Sequence, residues 1–441
     1  MVWLRGAAPQ PRSECLGGES QSRSRRAPSS GAPANLISLT TALCACIGVI
    51  VLSFGGASLG NRLSPAPAWG RMSDETHLAL DRGSGSSREL GARGAGRAGR
   101  WRAVNVGNAE LTGIACPGIR VCYVLGGTGS SGATWRSIVF GTKDAGKTWQ
   151  AKAIQPARVP LFRIVCPSAL VCYAVGVIET EGVAPPPGIS NDIVATRDAG
   201  RTWRTVFTSD VGRVRTGVCR SSSPGCVYVG NISCPTVSIC YALGFGPPAA
   251  SGKLPTSSIL LTTADGGRTW QRRTIDVVSG TAAMACPAVT TCYVAGRGYA
   301  VTTDRGATWR KRPGVPNGYV SMITCPAVRT CYSVGFRSAT RSAVDAGTIA
   351  VTHDGGETWQ TFYYTDASPY GISCPAARIC YAAGGAMGGP GTVILVTRDG
   401  GKSWQRERVP SRAFDYPRAI ACPGLDICYA ASGRGTIFVR N

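Results

Sequence analysis

Hydrophobic and polar positions along residues 101–441 recur in one order. A short apolar run ends in Cys, a Pro-led polar turn follows, and a second apolar run such as "CYAVG" leads into a loop of variable length. A further apolar run such as "GTIAVT" then reaches an Asp-Gly motif, and the unit closes with a run that opens with Trp. Each unit predicts four short antiparallel strands, and recurrence every 40 to 70 residues or so predicts the blades of a β-propeller.

The number of blades follows from the two ends of the chain. Seven copies of "CPxxxxCY" or a close variant stand against only six complete Asp motifs. The C-terminal "GTIFVRN" stops where an Asp motif would follow, and the N-terminal "AGRWRAV" resembles the start of an outer strand at Trp101. Pairing these two ends would close the ring and remove exposed sheet edges. The sequence therefore predicts an all-β, seven-bladed propeller of four-stranded antiparallel blades, with the last blade closed by the N-terminal strand.

The Asp motif has the spacing Thr-x-Asp-x-Gly-x-Thr-Trp, with Ser403 in place of the second Thr in the last copy. We expect its carboxylate to accept hydrogen bonds from turn amides, its Gly to adopt a backbone angle that other residues avoid, and its Trp to pack between blades. Because a six-fold repeat does not converge on one site, we interpret the Asp residues as structural. They are Asp144, Asp198, Asp265, Asp304, Asp354 and Asp399.

This spacing resembles the Asp-box, or bacterial neuraminidase repeat, of sialidases, sortilin-type receptors and the photosystem II assembly-factor propellers. The resemblance to the last family covers residues 101–441. It implies an extracytoplasmic or lumenal, non-enzymatic propeller that binds assembly intermediates and carries an Arg-rich surface patch. The cysteine signature departs from that family's motif and is more similar to secreted bacterial repeat proteins.

Sixteen cysteines of the repeat region form eight close pairs. Seven pairs flank a turn between two antiparallel strands, where facing residues can be bridged, and the chain has only two His residues to complete metal sites. We therefore predict disulfides rather than metal ligands, and no metal or cofactor. The pairs are Cys116 and Cys122, Cys166 and Cys172, Cys219 and Cys226, Cys234 and Cys240, Cys286 and Cys292, Cys325 and Cys331, Cys374 and Cys380, and Cys422 and Cys428.

The first hundred residues differ in composition from the repeats. Residues 1–35 are basic and predict a cytoplasmic tail, and residues 36–59 carry no charge and are long enough to cross a bilayer as a helix. We interpret residues 36–60 as a signal-anchor, or as a cleaved signal peptide that would release a secreted protein. Residues 61–100 are rich in Gly, Ser, Arg and Ala and predict a disordered linker. The propeller at 101–441 is then expected outside the cytoplasm.

Charge indicates the class of partner. The chain has 47 Lys and Arg against 24 Asp and Glu, a net charge of +23, which favours an acidic protein surface or an anionic envelope polymer. We expect no nucleic-acid partner and a monomer. Loops of variable length collect on one face, which favours it as the binding face. The candidate binding patch comprises Arg213, Arg215, Arg272, Arg273, Arg310, Lys311, Arg312, Arg406 and Arg408; solvated edge-strand charges are the alternative interpretation.

Enzyme motifs give little support for catalysis. Arg163 in "FRIV" echoes the Phe-Arg-Ile-Pro signature of sialidases but follows the first Asp motif instead of preceding it. The scattered Asp and Glu residues of the repeats do not single out a pair of carboxyls for glycoside hydrolysis. The sequence also contains no phosphate-binding glycine loop and no nucleophile elbow. We therefore expect no catalytic residue and a membrane-tethered, extracytoplasmic binding or assembly scaffold. The alternative is a glycan-binding or glycan-hydrolysing propeller of the cell envelope.

Overall fold

The computed structural model describes residues 100–129, 135–155, 160–179, 189–209, 227–245, 258–275, 283–314, 318–339, 344–410 and 415–441. All regular structure in these ranges is β. The predicted tail, membrane segment and linker lie outside the described residues, apart from residue 100. Within the described ranges no helix is long and apolar enough to span a membrane.

Twenty-eight strands form seven four-stranded antiparallel sheets, so the prediction of a seven-bladed all-β propeller is confirmed. Blade 1 contains β2 (Glu110–Gly118), β3 (Val121–Thr128), β4 (Arg136–Thr142) and β5 (Gln150–Ala153). Blade 2 contains β6 (Leu161–Val165), β7 (Cys172–Glu179), β8 (Ile189–Thr196) and β9 (Arg204–Thr208). Blade 3 contains β10 (Tyr228–Ser233), β11 (Cys240–Phe245), β12 (Ser258–Thr263) and β13 (Gln271–Ile275). Blade 4 contains β14 (Ala283–Ala285), β15 (Cys292–Ala295), β16 (Tyr299–Thr302) and β17 (Arg310–Arg312).

The remaining blades complete the ring. Blade 5 contains β18 (Gly318–Ala327), β19 (Thr330–Arg337), β20 (Ala346–Thr352) and β21 (Gln360–Tyr364). Blade 6 contains β22 (Ala367–Ala376), β23 (Ile379–Ala386), β24 (Thr392–Thr397) and β25 (Gln405–Arg406). Blade 7 contains β26 (Pro417–Ala421), β27 (Cys428–Ser432), β28 (Thr436–Arg440) and β1 (Trp101–Asn105).

The N-terminal strand closes the ring as the sequence predicts. β1 pairs with β28, and its register places Trp101 opposite Arg440. The first strand of each blade is innermost and contacts the first strands of both neighbouring blades, including β26 against β2. Antiparallel order puts the disulfide turns and the Asp turns on one face, which we call the turn face. The connections between second and third strands, and between blades, lie on the opposite face, which we call the loop face.

The hydrophobic core lies between blades rather than in one central mass. The buried residues form seven clusters, and each cluster joins side chains of two neighbouring blades. Trp residues of the Asp motif pack at these interfaces, as Trp149 does against Tyr429 and Trp359 against Tyr299. A blade therefore buries its apolar faces only when both neighbours are present.

Each disulfide turn is tied to the preceding blade by a tyrosine. The seven described pairs all bridge the Cys residues that flank the turn, while the predicted pair Cys219 and Cys226 lies outside the described residues. The Tyr that follows the second Cys donates its hydroxyl to a carbonyl in the turn of the next blade at 2.5 to 3.2 Å. The acceptors, in blade order, are Ala169, Val237, Val289, Val328, Ala377, Leu425 and Ile119.

The carboxylate and the first Thr hydroxyl of each Asp turn are held by hydrogen bonds within that turn. In blade 1 the Thr142 hydroxyl donates to Asp144 Oδ1 at 2.8 Å and accepts from the Gly146 amide at 2.9 Å. Asp144 also accepts from the Thr148 amide at 3.0 Å and from its hydroxyl at 2.6 Å. Ala145 and Gly146 both have left-handed backbones, with φ of 61° and 73°. Three other copies place Gly at both of these positions, which removes the steric cost of that conformation.

An ion cluster replaces the Asp turn in blade 7. Arg440 occupies the strand position at which the other blades carry Thr, opposite the second Cys. Its side chain is only 1% exposed and contacts Glu407 of blade 6 at 3.0 Å and Asp426 at 2.9 Å. Glu407 also accepts from the indole of Trp101 at 2.6 Å. The first and last strands of the propeller thus meet on one carboxylate of the neighbouring blade.

Replacing Tyr332 by Phe tests the tyrosine contact between blades. The ring would keep its packing, but the Ala377 carbonyl would lose its donor at 2.8 Å. We expect the free energy of unfolding, measured by denaturant titration, to fall by about 1 kcal/mol. Tyr363→Phe is the control, because that ring is 41% exposed and its hydroxyl donates no hydrogen bond in the described structure. Equal losses in the two variants would contradict a specific role for the hydroxyl.

Replacing Arg440 by Ala tests the closing ion cluster. We expect a loss of about 3 kcal/mol in unfolding free energy, because Glu407 would remain partly buried without its main partner. Arg398→Ala is a matched control: Arg398 pairs with the same two carboxylates but is 46% exposed, so its loss should cost less than about 1 kcal/mol. A larger loss of unfolding free energy in Arg398→Ala than in Arg440→Ala would contradict the role of Arg440 in closing the ring.

Acid titration tests the Asp turns. The hydroxyl of Thr308, then its amide and the Thr302 hydroxyl, lower the pKa of Asp304 from 3.8 to about 2. Because the folded pKa is the lower one, the stabilisation is complete above the unfolded pKa and is lost as pH falls through the folded pKa. We expect the melting temperature to fall between about pH 4 and pH 2. Asp304→Asn should reduce that dependence, and an unchanged dependence would contradict the role of this carboxylate.

Candidate functional site

A cationic groove lies between blades 4 and 5 at the edge of the turn face. It has a volume of about 200 Å³. β17 supplies Arg310 and Arg312, and the disulfide turn of blade 5 supplies Arg329. The Asp turn of blade 5 supplies Asp354 and Glu357. We call these five residues and their surroundings the blade 4/5 groove.

Both carboxylates of the groove already have partners. Glu357 forms an ion pair with Arg312. Asp354 accepts hydrogen bonds from the Thr352 hydroxyl and from the amide and hydroxyl of Thr358. Burial raises the pKa of Asp354, but the hydrogen bonds from Thr358 outweigh it and keep the pKa well below its usual range. Both carboxylates of the groove are therefore already bound by side chains or amides of the protein itself.

Two guanidinium groups of the groove have no carboxylate partner in the described ranges. Arg310 is exposed at the start of β17, and the Arg329 guanidinium donates to the Asp354 carbonyl at 3.0 Å. The Tyr293 hydroxyl, whose pKa is raised by burial, is directed to the Val328 carbonyl and leaves the guanidinium groups open to solvent. A guanidinium can hold a carboxylate through two parallel hydrogen bonds. The arrangement suits an acidic side chain brought by a ligand.

A second groove with a similar character lies between blades 1 and 2. Its volume is about 400 Å³, and its cationic residues are Lys143, Lys152 and Arg201. The Lys152 ammonium donates to the Arg201 carbonyl at 2.9 Å, which ties the outer strand of blade 1 to the Asp turn of blade 2. Asp144 lies in the same groove but is held by its own turn. Cationic grooves are thus found at two blade interfaces.

The predicted basic patch is divided among blades. Arg272 and Arg273 lie on the outer strand of blade 3, next to the Arg310–Arg312 strand of blade 4. Arg406, on the outer strand of blade 6, pairs with Asp366 at 2.9 Å, and Arg408 follows it. Arg213 and Arg215 lie outside the described residues. The groove formed by Arg310 and Arg312 opens beside the Asp turn of blade 5, so these two residues lie at the turn face rather than at the loop face expected to bind partners.

Arg163 lies in the central channel, a position that its sequence context did not reveal. It is on the innermost strand β6, and its guanidinium reaches across the ring to Met322 Sδ of blade 5 at 3.6 Å. Its Nε has no hydrogen-bond partner in the described structure. Burial lowers its pKa to about 10, while nearby Tyr319 raises it. A strand bulge lies between Leu161 and Arg163, as it does at the equivalent position of most other blades.

Every carboxylate whose side chain is described accepts a hydrogen bond. Six belong to the Asp turns. Others form ion pairs, as Glu110 does with Arg418, or accept from hydroxyls, as Asp192 does from Thr208 and Asp415 from Thr436. In these ranges no group of three or more metal-ligating side chains comes together.

No family model matches the chain, and no curated protein matches it. Solved structures do share its fold. A YCF48 structure bound to a D1 peptide is 13% identical, with a TM-score of 0.50 over 77% of this chain and 96% of that one. YCF48 from Cyanidioschyzon merolae is 14% identical, with a TM-score of 0.50 over 78% and 98%. The GH74 enzyme of Niastella koreensis is 13% identical, with a TM-score of 0.52, but only 53% of that enzyme is covered. Similarity at this level of identity establishes the fold alone.

Proposed function

We propose that this chain is a non-catalytic, extracytoplasmic scaffold that binds an acidic segment of a partner protein. The observation that carries the proposal is the blade 4/5 groove, where Arg310 and Arg329 have no carboxylate partner within the described residues. An incoming carboxylate would complete their charge pairing, whereas the carboxylates already in the groove are held by their own contacts.

The environments of the described carboxylates support binding over catalysis. General acid and base catalysis needs carboxyls whose environments separate their pKa values. The described carboxylates instead serve turns, ion pairs and strand contacts, and the Asp-turn pKa values are all lowered. The peptide-bound YCF48 structure is an example of a propeller of this shape that holds a peptide.

Location is supported by the disulfides. Seven of them in the described residues indicate an oxidising environment. The uncharged residues 36–59 of the sequence would tether the propeller to a membrane from its N-terminal side. In this proposal the scaffold acts at the outer surface of that membrane.

Arg163 favours a second candidate function, the binding or hydrolysis of an acidic glycan. A guanidinium in the central channel could pair with a sugar carboxylate, and a GH74 enzyme has a similar fold. Incubation of the full chain with a panel of sialosides and β-glucans tests this candidate. Turnover at enzyme-like rates would reject the non-catalytic scaffold.

Charge reversal at Arg310 tests the proposed groove. We expect Arg310→Glu to weaken binding of Asp- and Glu-rich peptides, measured by fluorescence anisotropy, about tenfold or more. The same substitution should reduce the capture of proteins from native membranes by the full chain. Folding should be unchanged, because Arg310 is exposed and its side chain forms no ion pair among the described residues.

Arg204→Glu is the matched control. Arg204 occupies the same position in blade 2, directly after the Trp of its Asp motif, and is also exposed, but it does not line the blade 4/5 groove. Equal losses in the two variants would show a general effect of net charge and would contradict the groove as the binding site.

A further inference from the structure

The turn face carries a ring of exposed aliphatic side chains. Five of the eight large hydrophobic side chains exposed in the described structure lie in the disulfide turns. They are 40% to 56% exposed and come from blades 1, 2, 3, 5 and 7. We call them the aliphatic crown: Ile119, Leu170, Val237, Val328 and Leu425. Single exposed hydrophobic residues are ordinary, but their recurrence at equivalent turns of one face is not explained by packing.

The crown cannot fold back into the core. Each turn is closed by a disulfide, and one carbonyl of the turn is held by the tyrosine of the preceding blade. At Ile119, Val237, Val328 and Leu425 the held carbonyl belongs to the crown residue itself, and in blade 2 it belongs to Ala169, which precedes Leu170. With the carbonyl fixed toward the core, the side chain of the same residue is directed to solvent. The backbone of the disulfide turn therefore keeps the crown side chains exposed.

Arg side chains lie beside the crown, and the one carboxylate that follows a crown residue, Asp426 after Leu425, pairs with Arg440 and Arg398. Arg120 and Arg329 directly follow Ile119 and Val328, and Arg378 lies at the equivalent position of blade 6; all three are exposed. The six Asp-turn carboxylates of this face are occupied by hydrogen bonds of their own turns. Apolar side chains with flanking Arg suit the boundary between lipid headgroups and acyl chains.

The N-terminal part of the chain joins the propeller at this same face. Arg440 lies opposite Cys428 of blade 7, where a disulfide turn ends, and Trp101 lies opposite Arg440. Residue 100 therefore enters at the edge of the turn face. Only about 40 residues separate it from the uncharged residues 36–59, so a segment embedded there would keep the propeller close to the bilayer.

We propose that the turn face is a membrane-docking surface and that the aliphatic crown contacts the lipid directly. An anionic bilayer fits better than a protein partner, because the crown residues are spaced around a ring and can all meet a plane at once. A compact partner would instead favour one contiguous cluster. This inference goes beyond the proposed binding of a protein and does not depend on the blade 4/5 groove.

Photocrosslinking with the full chain tests the inference. The chain is reconstituted in nanodiscs of phosphatidylcholine and phosphatidylglycerol that contain a diazirine phospholipid, and crosslinked peptides are mapped by mass spectrometry. We expect lipid adducts in the turns at 116–122, 166–172 and 422–428. The triple variant Ile119→Ser, Leu170→Ser, Leu425→Ser should retain its fold and reduce adducts in the remaining disulfide turns about tenfold.

Val344→Ser is the control, since Val344 is 62% exposed but lies in a loop-face connection of blade 5. Its adduct pattern should match that of the unchanged chain. Adducts on the loop face, or no adducts in the disulfide turns, would overturn the inference. Crosslinks from these turns to a co-reconstituted protein in place of lipid would also overturn it. If the triple variant still binds the acidic peptides like the unchanged chain, a loss of lipid adducts cannot be attributed to damage at the blade 4/5 groove.

Discussion

Seven tyrosine hydroxyls, each bound to a carbonyl of the next blade, are the contact on which the ring depends. A propeller blade has no core of its own, and the buried clusters of this chain all lie between neighbours. Apolar packing between blades is non-directional. A directed hydrogen bond to a turn that is closed by a disulfide fixes the height and angle of each blade against the next. The last of the seven, from Tyr429 to Ile119, joins blade 7 to blade 1.

That constraint also accounts for the character of the two faces. On the turn face, disulfides, tyrosines and Asp carboxylates fix the backbone, so variation is confined to the side chains that point outward. Those side chains form the crown and the cationic residues around it. On the loop face, connections differ in length from blade to blade. A fixed face suits contact with a surface that is the same everywhere.

Most of the fold could be predicted from sequence because its determinants are local and repeated. Strand number, blade number and the closing strand followed from the spacing of Cys, Asp and Trp, and Trp101 was recognisable because it begins a copied motif. Side chains that act across the ring could not be predicted in this way. Arg163 lies in a hydrophobic stretch, and only its contact with Met322 across the ring reveals that it faces the channel. Arg329 could not be predicted as a site residue, because it belongs to a turn of blade 5 and the groove that it lines exists only where blade 5 packs against blade 4.

The position of the blade 4/5 groove links the two proposals physically. Arg329 lies next to Val328 of the crown and also lines the groove, so docking of the turn face would bring the groove close to the height of the lipid headgroups. Anionic headgroups would then compete with a partner's carboxylates for Arg329, whereas Arg310 lies on the outer strand of blade 4, to the side. A partner that approaches along the membrane would reach Arg310 first. The geometry thus favours an acidic segment close to the bilayer over a soluble protein that approaches the loop face from above.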